Sequence, residues 1–416
     1  MNRADCVALD AIDPLAFTRA RFSLPANTIY LDGNSLGAMP KAAPAVLQAV
    51  VAQQWGDDLI RSWNTHNWVS LPQRVGGKIA TLLGAQQNEV VAADSTSVNL
   101  FKLLAGWLQL VQLSGETARR FIVCERGNFP TDVYIAEGVA ALFGKRFELK
   151  FVDSLANLNA SIDTSTAIVM LTQVDYRSGH LHNMAALNAH AKAGGTVVLW
   201  DLAHSAGAVP INLNADGAKL AVGCGYKYLN GGPGAPAFAY IAQELHAQFP
   251  VTIQGWFAHG KPFAFADKFV PAADASRLLC GTPPVLSMAA LDCGIDTFAG
   301  VDIEMVRVKS IALSNLFLQL MEPLCGEYNF SLFSPLDPAS RGSHLSYAHE
   351  HGYAIMQAII ARGVIGDFRE PNLLRFGLTP LYTGFSDIFD AVEILKYIML
   401  NREYTAPQFN QRAVVP

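Results

Sequence analysis

Charge is scarce in this chain of 416 residues. Asp, Glu, Lys and Arg together make up 16% and hydrophobic residues 51%, against about 25% charged in a typical soluble protein. A chain this apolar is not disordered, and it buries a sizeable core. Its length, as a soft prior, suits two or three domains. The 30 basic residues fall short of the 35 acidic ones, for a net charge of −5. No basic excess draws a polyanion, so nucleic acid is not an expected partner. Cysteine is sparse: Cys6, Cys124, Cys224, Cys280, Cys293 and Cys325 are scattered and form no C-x-x-C pair. That argues against a disulfide framework and a cysteine zinc site. No apolar run reaches the roughly 18 residues of a membrane span. The opening MNRADCVALDAIDP carries acids where a signal peptide needs an apolar centre. The expectation is a cytoplasmic protein without a membrane partner. Repeats and low-complexity stretches are also missing. No G-x-G-x-x-G follows a first strand, which argues against a nicotinamide dehydrogenase.

What is present is an alternation of strands and helices. Residues 74–83 read as a helix and Val90-Val91-Ala92 as a short buried strand. Asp94-Ser95-Thr96-Ser97 then caps VNLFKLLAGWLQLV, whose Leu100, Leu103, Leu104, Trp107 and Leu108 share one face. Strands are expected at 121–125, 147–152, 167–174, 196–200 and 220–225, with helices at 131–144 and 182–194. Continuous apolar strands between helices imply a mostly parallel sheet covered on both faces. Ligands of such sheets sit beyond the carboxyl ends of the strands. After about residue 290 the texture changes. A long helix is expected over 301–324 and another over SYAHEHGYAIMQAIIARG (346–363). The expected division is residues 1–50 as a segment joining a small domain, 51–290 as a large α/β domain, and 291–416 as a small α+β domain.

Two strand ends carry the chemistry. TVVLW runs into Asp201, and LAVGCG into Tyr226-Lys227. A buried acid needs a cation or several donors. A lysine at the end of an apolar strand is partly desolvated, which lowers its pKa and favours amine nucleophilicity. Read singly, Asp201 is a helix cap and Lys227 a surface lysine. Together they suit pyridoxal phosphate: the lysine joins the aldehyde and the acid keeps the pyridine nitrogen protonated. The phosphate needs a hydroxyl-rich helix start, which Ser95, Thr96 and Ser97 supply. Phe129 is placed to stack on the ring.

The segments YLDGNSLG (30–37), DSTSVNLFKLL (94–104), NFPTDVY (128–134), LTQVDYRSGHLHNM (171–184), WDLAHSAGAVP (200–210), GCGYKYLNGGPGAPAF (223–238), GWFAH (255–259), GTPPVLSM (281–288) and EPNLLRFGLTPLY (370–382) resemble the kynureninase family. The match runs from about residue 20 to 400. It implies an α/β fold of fold-type I, the fold of pyridoxal-phosphate-dependent transferases related to class V aminotransferases. By that resemblance Lys227 forms the Schiff base and Asp201 pairs with the pyridinium nitrogen. Phe129 stacks on the ring, with His204 and Thr172 near it. Thr96, Ser97 and Tyr226 contact the phosphate. Asp132 lies close to the cofactor and shuttles protons. Trp256 and Thr282 reach the phosphate from a second subunit, so a homodimer is implied, and Arg375 clamps the substrate α-carboxylate. Without the family, Thr172 and Ser97 also read as caps, Trp256 as core and Asn34 as a turn former.

The implied reaction is hydrolysis of the Cβ–Cγ bond of L-kynurenine, or of 3-hydroxykynurenine, to anthranilate and L-alanine in tryptophan catabolism. Trp63, Asn64, His66 and Trp68 are candidates for the aryl end on composition alone, and equally read as a packed loop. No metal is expected: the pairs His180/His182 and His349/His351 lack supporting ligands at suitable spacing. The rival readings are a cysteine desulfurase or selenocysteine lyase, which needs a reactive loop cysteine where only Cys325 is available, a plain aminotransferase, and a non-catalytic cofactor-binding protein.

Overall fold

The computed structural model describes residues 1–412. Its centre is a seven-stranded sheet of β1 (Val90–Ala92), β2 (Phe121–Glu125), β3 (Glu148–Val152), β4 (Thr166–Thr172), β5 (Val198–Asp201), β6 (Leu220–Gly223) and β7 (Phe238–Ile241). The order across the sheet is β1-β7-β6-β5-β4-β2-β3. Only β7 runs against the rest, antiparallel to β1 and β6. Sequence reading misses β7. It is four fully buried residues directly behind the turn-rich GGPGAP, whose signals mask it.

Strand alternation sorts side chains between two cores. Val123, Val169, Leu171 and Trp200 face one side, where α1 (Leu71–Leu82) brings Val75 and Ile79. Ile122, Cys124, Ile168, Met170 and Leu199 face the other. There α2 (Thr96–Leu113) lays down Leu100, Leu103, Leu104 and Leu108, and α3 (Pro130–Leu142) adds Ala136 and Val139. Each start has a local cause. The Ser95 hydroxyl accepts the Val98 N–H at 3.3 Å. Proline opens α3, where its missing N–H costs nothing. Asn183 caps α4 (Met184–Ala193).

Beyond α5 (Val285–Asp296) and α6 (Ile303–Tyr328) lies a four-stranded antiparallel sheet. Its strands β8 (Ser331–Leu332), β9 (His344–Ala348), β10 (Asp367–Arg369) and β11 (Leu373–Gly377) are ordered β10-β11-β9-β8. Two expectations are corrected here. The long helix runs past Pro323 to Tyr328. The helix expected over 346–363 begins only at Gly352, as α7 (Gly352–Ala361), because Ser346, Tyr347 and Ala348 finish β9. In that strand Leu345 and Tyr347 alternate into the smaller core, a period of two and not of 3.6.

The N-terminal segment is fastened to the C-terminal third. Ile29–Tyr30 pairs in parallel with Val364–Ile365. The Asp10 carboxylate accepts the first N–H groups of α8 (Phe385–Leu400), and Lys309 pairs with Asp13 in a buried contact of 2.6 Å. Residues 31–37 then pass between the two sheets. The Gly37 N–H donates to the Tyr226 carbonyl at 2.8 Å, and the Gly377 N–H to the Leu31 carbonyl at 2.6 Å. A Cβ at Gly37 would strike the Lys227 carbonyl and Asn230. The expected division at residues 50 and 290 is one of boundaries, and the last four residues of its third part lie outside the described residues.

Candidate active site

Three neighbouring strands deliver their ends to one place. Thr172 closes β4 beside Asp201, which closes β5. The chain leaving β6 brings Tyr226 and Lys227. The opening of α2 faces them. Together they line a cavity of about 410 Å³ that also includes Thr96, Ser97, Phe129, Asp132 and His204. A larger open groove of about 890 Å³ lies elsewhere, between Arg19, Asn27 and Arg362, and holds none of these groups.

Within the cavity, Lys227 Nζ lies 2.8 Å from His204 Nε2 and 5.8 Å from the centres of the Phe129 and Tyr226 rings. Burial lowers the Lys227 pKa and outweighs the pull of Asp201. Burial pushes the Asp201 carboxyl up, opposed by Lys227 and by the Ala203 N–H at 2.8 Å. Asp132 rises well above the carboxylate range through burial and the nearby Asp201, so it favours its protonated form. Burial and the Lys227 charge push His204 far down, leaving a neutral imidazole. Burial raises Tyr226, which keeps its phenolic proton. The site thus holds a nucleophilic amine beside proton-bearing Asp132 and Tyr226.

Buried polar atoms without partners mark where a ligand belongs. Asp132 Oδ1, His204 Nδ1 and Asn128 Nδ2 are buried and unpaired, and such atoms are rare unless water or a ligand meets them. The hydroxyls at the α2 start, the ring of Phe129, the buried acid and the lysine match the parts of pyridoxal phosphate. The residues present fit the group.

Three predicted residues lie outside this cavity. Trp256 is 38% exposed and packs with Phe257, Phe263 and Phe265. Thr282 is exposed. Arg375 is buried behind Tyr176, whose carbonyl accepts from its Nη1. The aryl candidates are also elsewhere. Trp63 packs edge-on against Trp68, His66 pairs with Asp58 at 2.8 Å, and Trp68 Nε1 donates to Gln54. Sequence reading missed Tyr176, which lines the cavity with its ring 5.1 Å from Phe129. It also missed Asp32, Ser35, Asp367 and Arg369 around Arg375. Asp367 and Arg369 alternate on one short strand, and only the register of that strand against the next brings them to Arg375. Among the described residues no three His, Cys, Asp or Glu side chains are placed to hold a metal, and no helix is long and apolar enough to cross a membrane.

Residues 306–395 match the kynureninase C-terminal domain model. The chain is 50% identical over 411 residues to a kynureninase of Pseudomonas fluorescens, covering 99% of each chain. It belongs to the kynureninase family. A kynureninase of Burkholderia pseudomallei is 49% identical over 414 residues, covering 100% of this chain and 99% of its own. Among solved structures, the apo cysteine desulfurase of Thermococcus onnurineus NA1 superposes with a TM-score of 0.75 at 17% identity, over 93% of this chain and 98% of that one. A C-DES mutant with glycine covalently linked to its PLP cofactor gives 0.75 at 16%, over 91% and 98%. These likenesses fix the fold as fold-type I, while the identity gap separates this kynureninase-family chain from the desulfurases. Cys325 accordingly sits within α6 and is partly buried, not on a loop.

Proposed function

We propose that this chain hydrolyses the Cβ–Cγ bond of L-kynurenine, or its 3-hydroxy form, to anthranilate and L-alanine, with pyridoxal phosphate anchored on Lys227. The observation that carries this is the convergence of Lys227, half-buried, and Asp201, buried, in one cavity of a kynureninase-family chain. Ser95, Thr96 and Ser97 at the α2 start hold the phosphate, and Phe129 covers one face of the ring. Bound there, the cofactor is an electron sink for bonds broken at the substrate α and β carbons. Asp201 faces the pyridine nitrogen and favours its protonated form. Lys227 Nζ, whose pKa burial lowers, takes the proton from Cα, with His204 Nε2 orienting it at 2.8 Å. Hydrolysis puts hydroxide on the carbonyl carbon and a proton on Cβ. Tyr226 and Asp132 are the proton-bearing groups that supply it. L-Kynurenine added to the purified holoenzyme is expected to give anthranilate fluorescence and an equal amount of alanine. A yellow, borohydride-fixable protein that yields a keto acid instead would make it an aminotransferase.

The same reading includes a homodimer. Trp256 and Thr282 face solvent in a single chain, and a second copy brings them to the phosphate of its partner. Mixing Lys227→Ala chains with Trp256→Ala chains is expected to restore activity that neither has alone, since one hybrid site keeps both residues. No recovery after verified subunit exchange would overturn the shared site. The same reading places the work in the cytoplasm, within tryptophan breakdown and the supply of NAD precursors.

A further inference from the structure

Arg375 is more closely held than a substrate clamp needs to be. Its Nε and Nη2 meet both oxygens of Asp367, with Nε–Oδ1 at 2.8 Å. Nη2 also donates to Ser35 Oγ at 2.9 Å, and Nη1 to the Tyr176 carbonyl. Ser35 in turn donates to Asp367 at 2.6 Å, and Arg369 touches the same carboxylate at 2.7 Å and Ser35 at 3.3 Å. A guanidinium has two edges that grip a carboxylate in a fork. Here the Nε/Nη2 edge is taken by a charged, two-point partner. The Nη1/Nη2 edge is held only by a hydroxyl and a carbonyl, both neutral. Tyr176 lines the cavity, and the bond from Nη1 to its carbonyl ties this second edge to the cavity wall.

We propose that Asp367 and Ser35 are positioning residues that set Arg375 with its Nη1/Nη2 edge towards the cavity, where the α-carboxylate of the amino acid takes the place of the Tyr176 carbonyl and Ser35 keeps its bond to Asp367. This rests on the proposed function and on the α-carboxylate role that the family resemblance implies for Arg375, and it assigns the YLDGNSLG segment a part in amino-acid recognition. Charge accounting agrees. Arg375 and Arg369 against Asp367 leave one positive charge. The remaining acid, Asp32, is raised to about 7 by burial and by Asp367, which limits its offset at neutral pH. The cluster suits a single carboxylate. Asp367 also lies between the buried Arg375 and the half-buried Arg369, which would otherwise repel, and the register places it directly opposite Arg375 on the next strand.

The test uses holoenzyme and two ligands that differ only in the carboxylate. L-Alanine and L-alaninamide are titrated against the cofactor's visible absorbance for wild type, Asp367→Asn and Ser35→Ala. A charge-assisted hydrogen bond contributes about 1.5–3 kcal/mol and a neutral one about 1 kcal/mol. The Kd for L-alanine is therefore expected to rise roughly 10- to 100-fold in Asp367→Asn and about fivefold in Ser35→Ala. L-Alaninamide should stay within about twofold in both, and kynurenine turnover should show the loss in KM with kcat nearly kept. Equal weakening of both ligands means a merely structural role and overturns the proposal. So does unchanged L-alanine binding in Ser35→Ala, even where Asp367→Asn fails to retain cofactor. A wild type that binds L-alanine tightly but releases no anthranilate from kynurenine refutes the proposed function and leaves this inference standing.

Discussion

Lys227→Ala is expected to lower kynurenine turnover by at least ~10³-fold, the upper range for loss of a positioned base combined with loss of the covalent anchor. The variant should still bind pyridoxal phosphate, because the α2 start, Phe129 and Asp201 are untouched. Borohydride should fix the yellow colour to the wild type and not to the variant. The cause is local. Lys227 is the amine that lines the cavity, and His204 Nε2 at 2.8 Å is neutral and cannot replace it as a nucleophile. Near-normal rates in Lys227→Ala would move the chemistry elsewhere.

Asp201→Asn should cost about 10²- to 10⁴-fold in kcat. Breaking a buried charge pair costs about 3–5 kcal/mol, and each 1.36 kcal/mol is a factor of ten. The substitution keeps the shape at the end of β5 and keeps an oxygen for the Ala203 N–H. It removes the charge. Asp201 is pushed up by burial, so its ionised form depends on a cation beside it, and Lys227 supplies that field in the structure. The pyridine nitrogen takes that part when the cofactor is present, so the loss should show in kcat with a changed absorbance maximum. A variant with normal kcat and an unshifted spectrum would separate Asp201 from the ring.

Much of this was legible in the chain because its signals are local. Apolar runs of three to eight residues, each ended by a turn or a cap, predict six of the seven strands of the large sheet. Lys227 and Asp201 were visible as polar residues where such runs stop, which is where this architecture exposes its ligands, while Thr172 lay inside its expected strand and came only from the family resemblance. What escaped depends on long-range pairing. Strand β7 hides behind a glycine- and proline-rich turn. Ser346–Ala348 read as helix because the apolar run that follows them dominates the window. Asp367 and Arg369 lie on a three-residue strand, too short to declare its face, and acquire meaning only opposite Arg375. Asn34 read as a turn former, and it does sit in a turn. Its amide is nonetheless fully buried with no partner, against the backbone of Gly377, which period and composition cannot foresee.

The route of residues 31–37 has a consequence for synthesis. This stretch is made well before its partners, since its bonds are to Tyr226, to Arg375 and to the backbone of Gly377. Pairings so distant along the chain form late. A nascent chain completed only through β7 already carries the lysine, the acid and the phosphate cup, but lacks the guanidinium proposed to grip a carboxylate. That grip arrives only with β10 and β11, when the loop made long before them closes against Arg375 and Gly377.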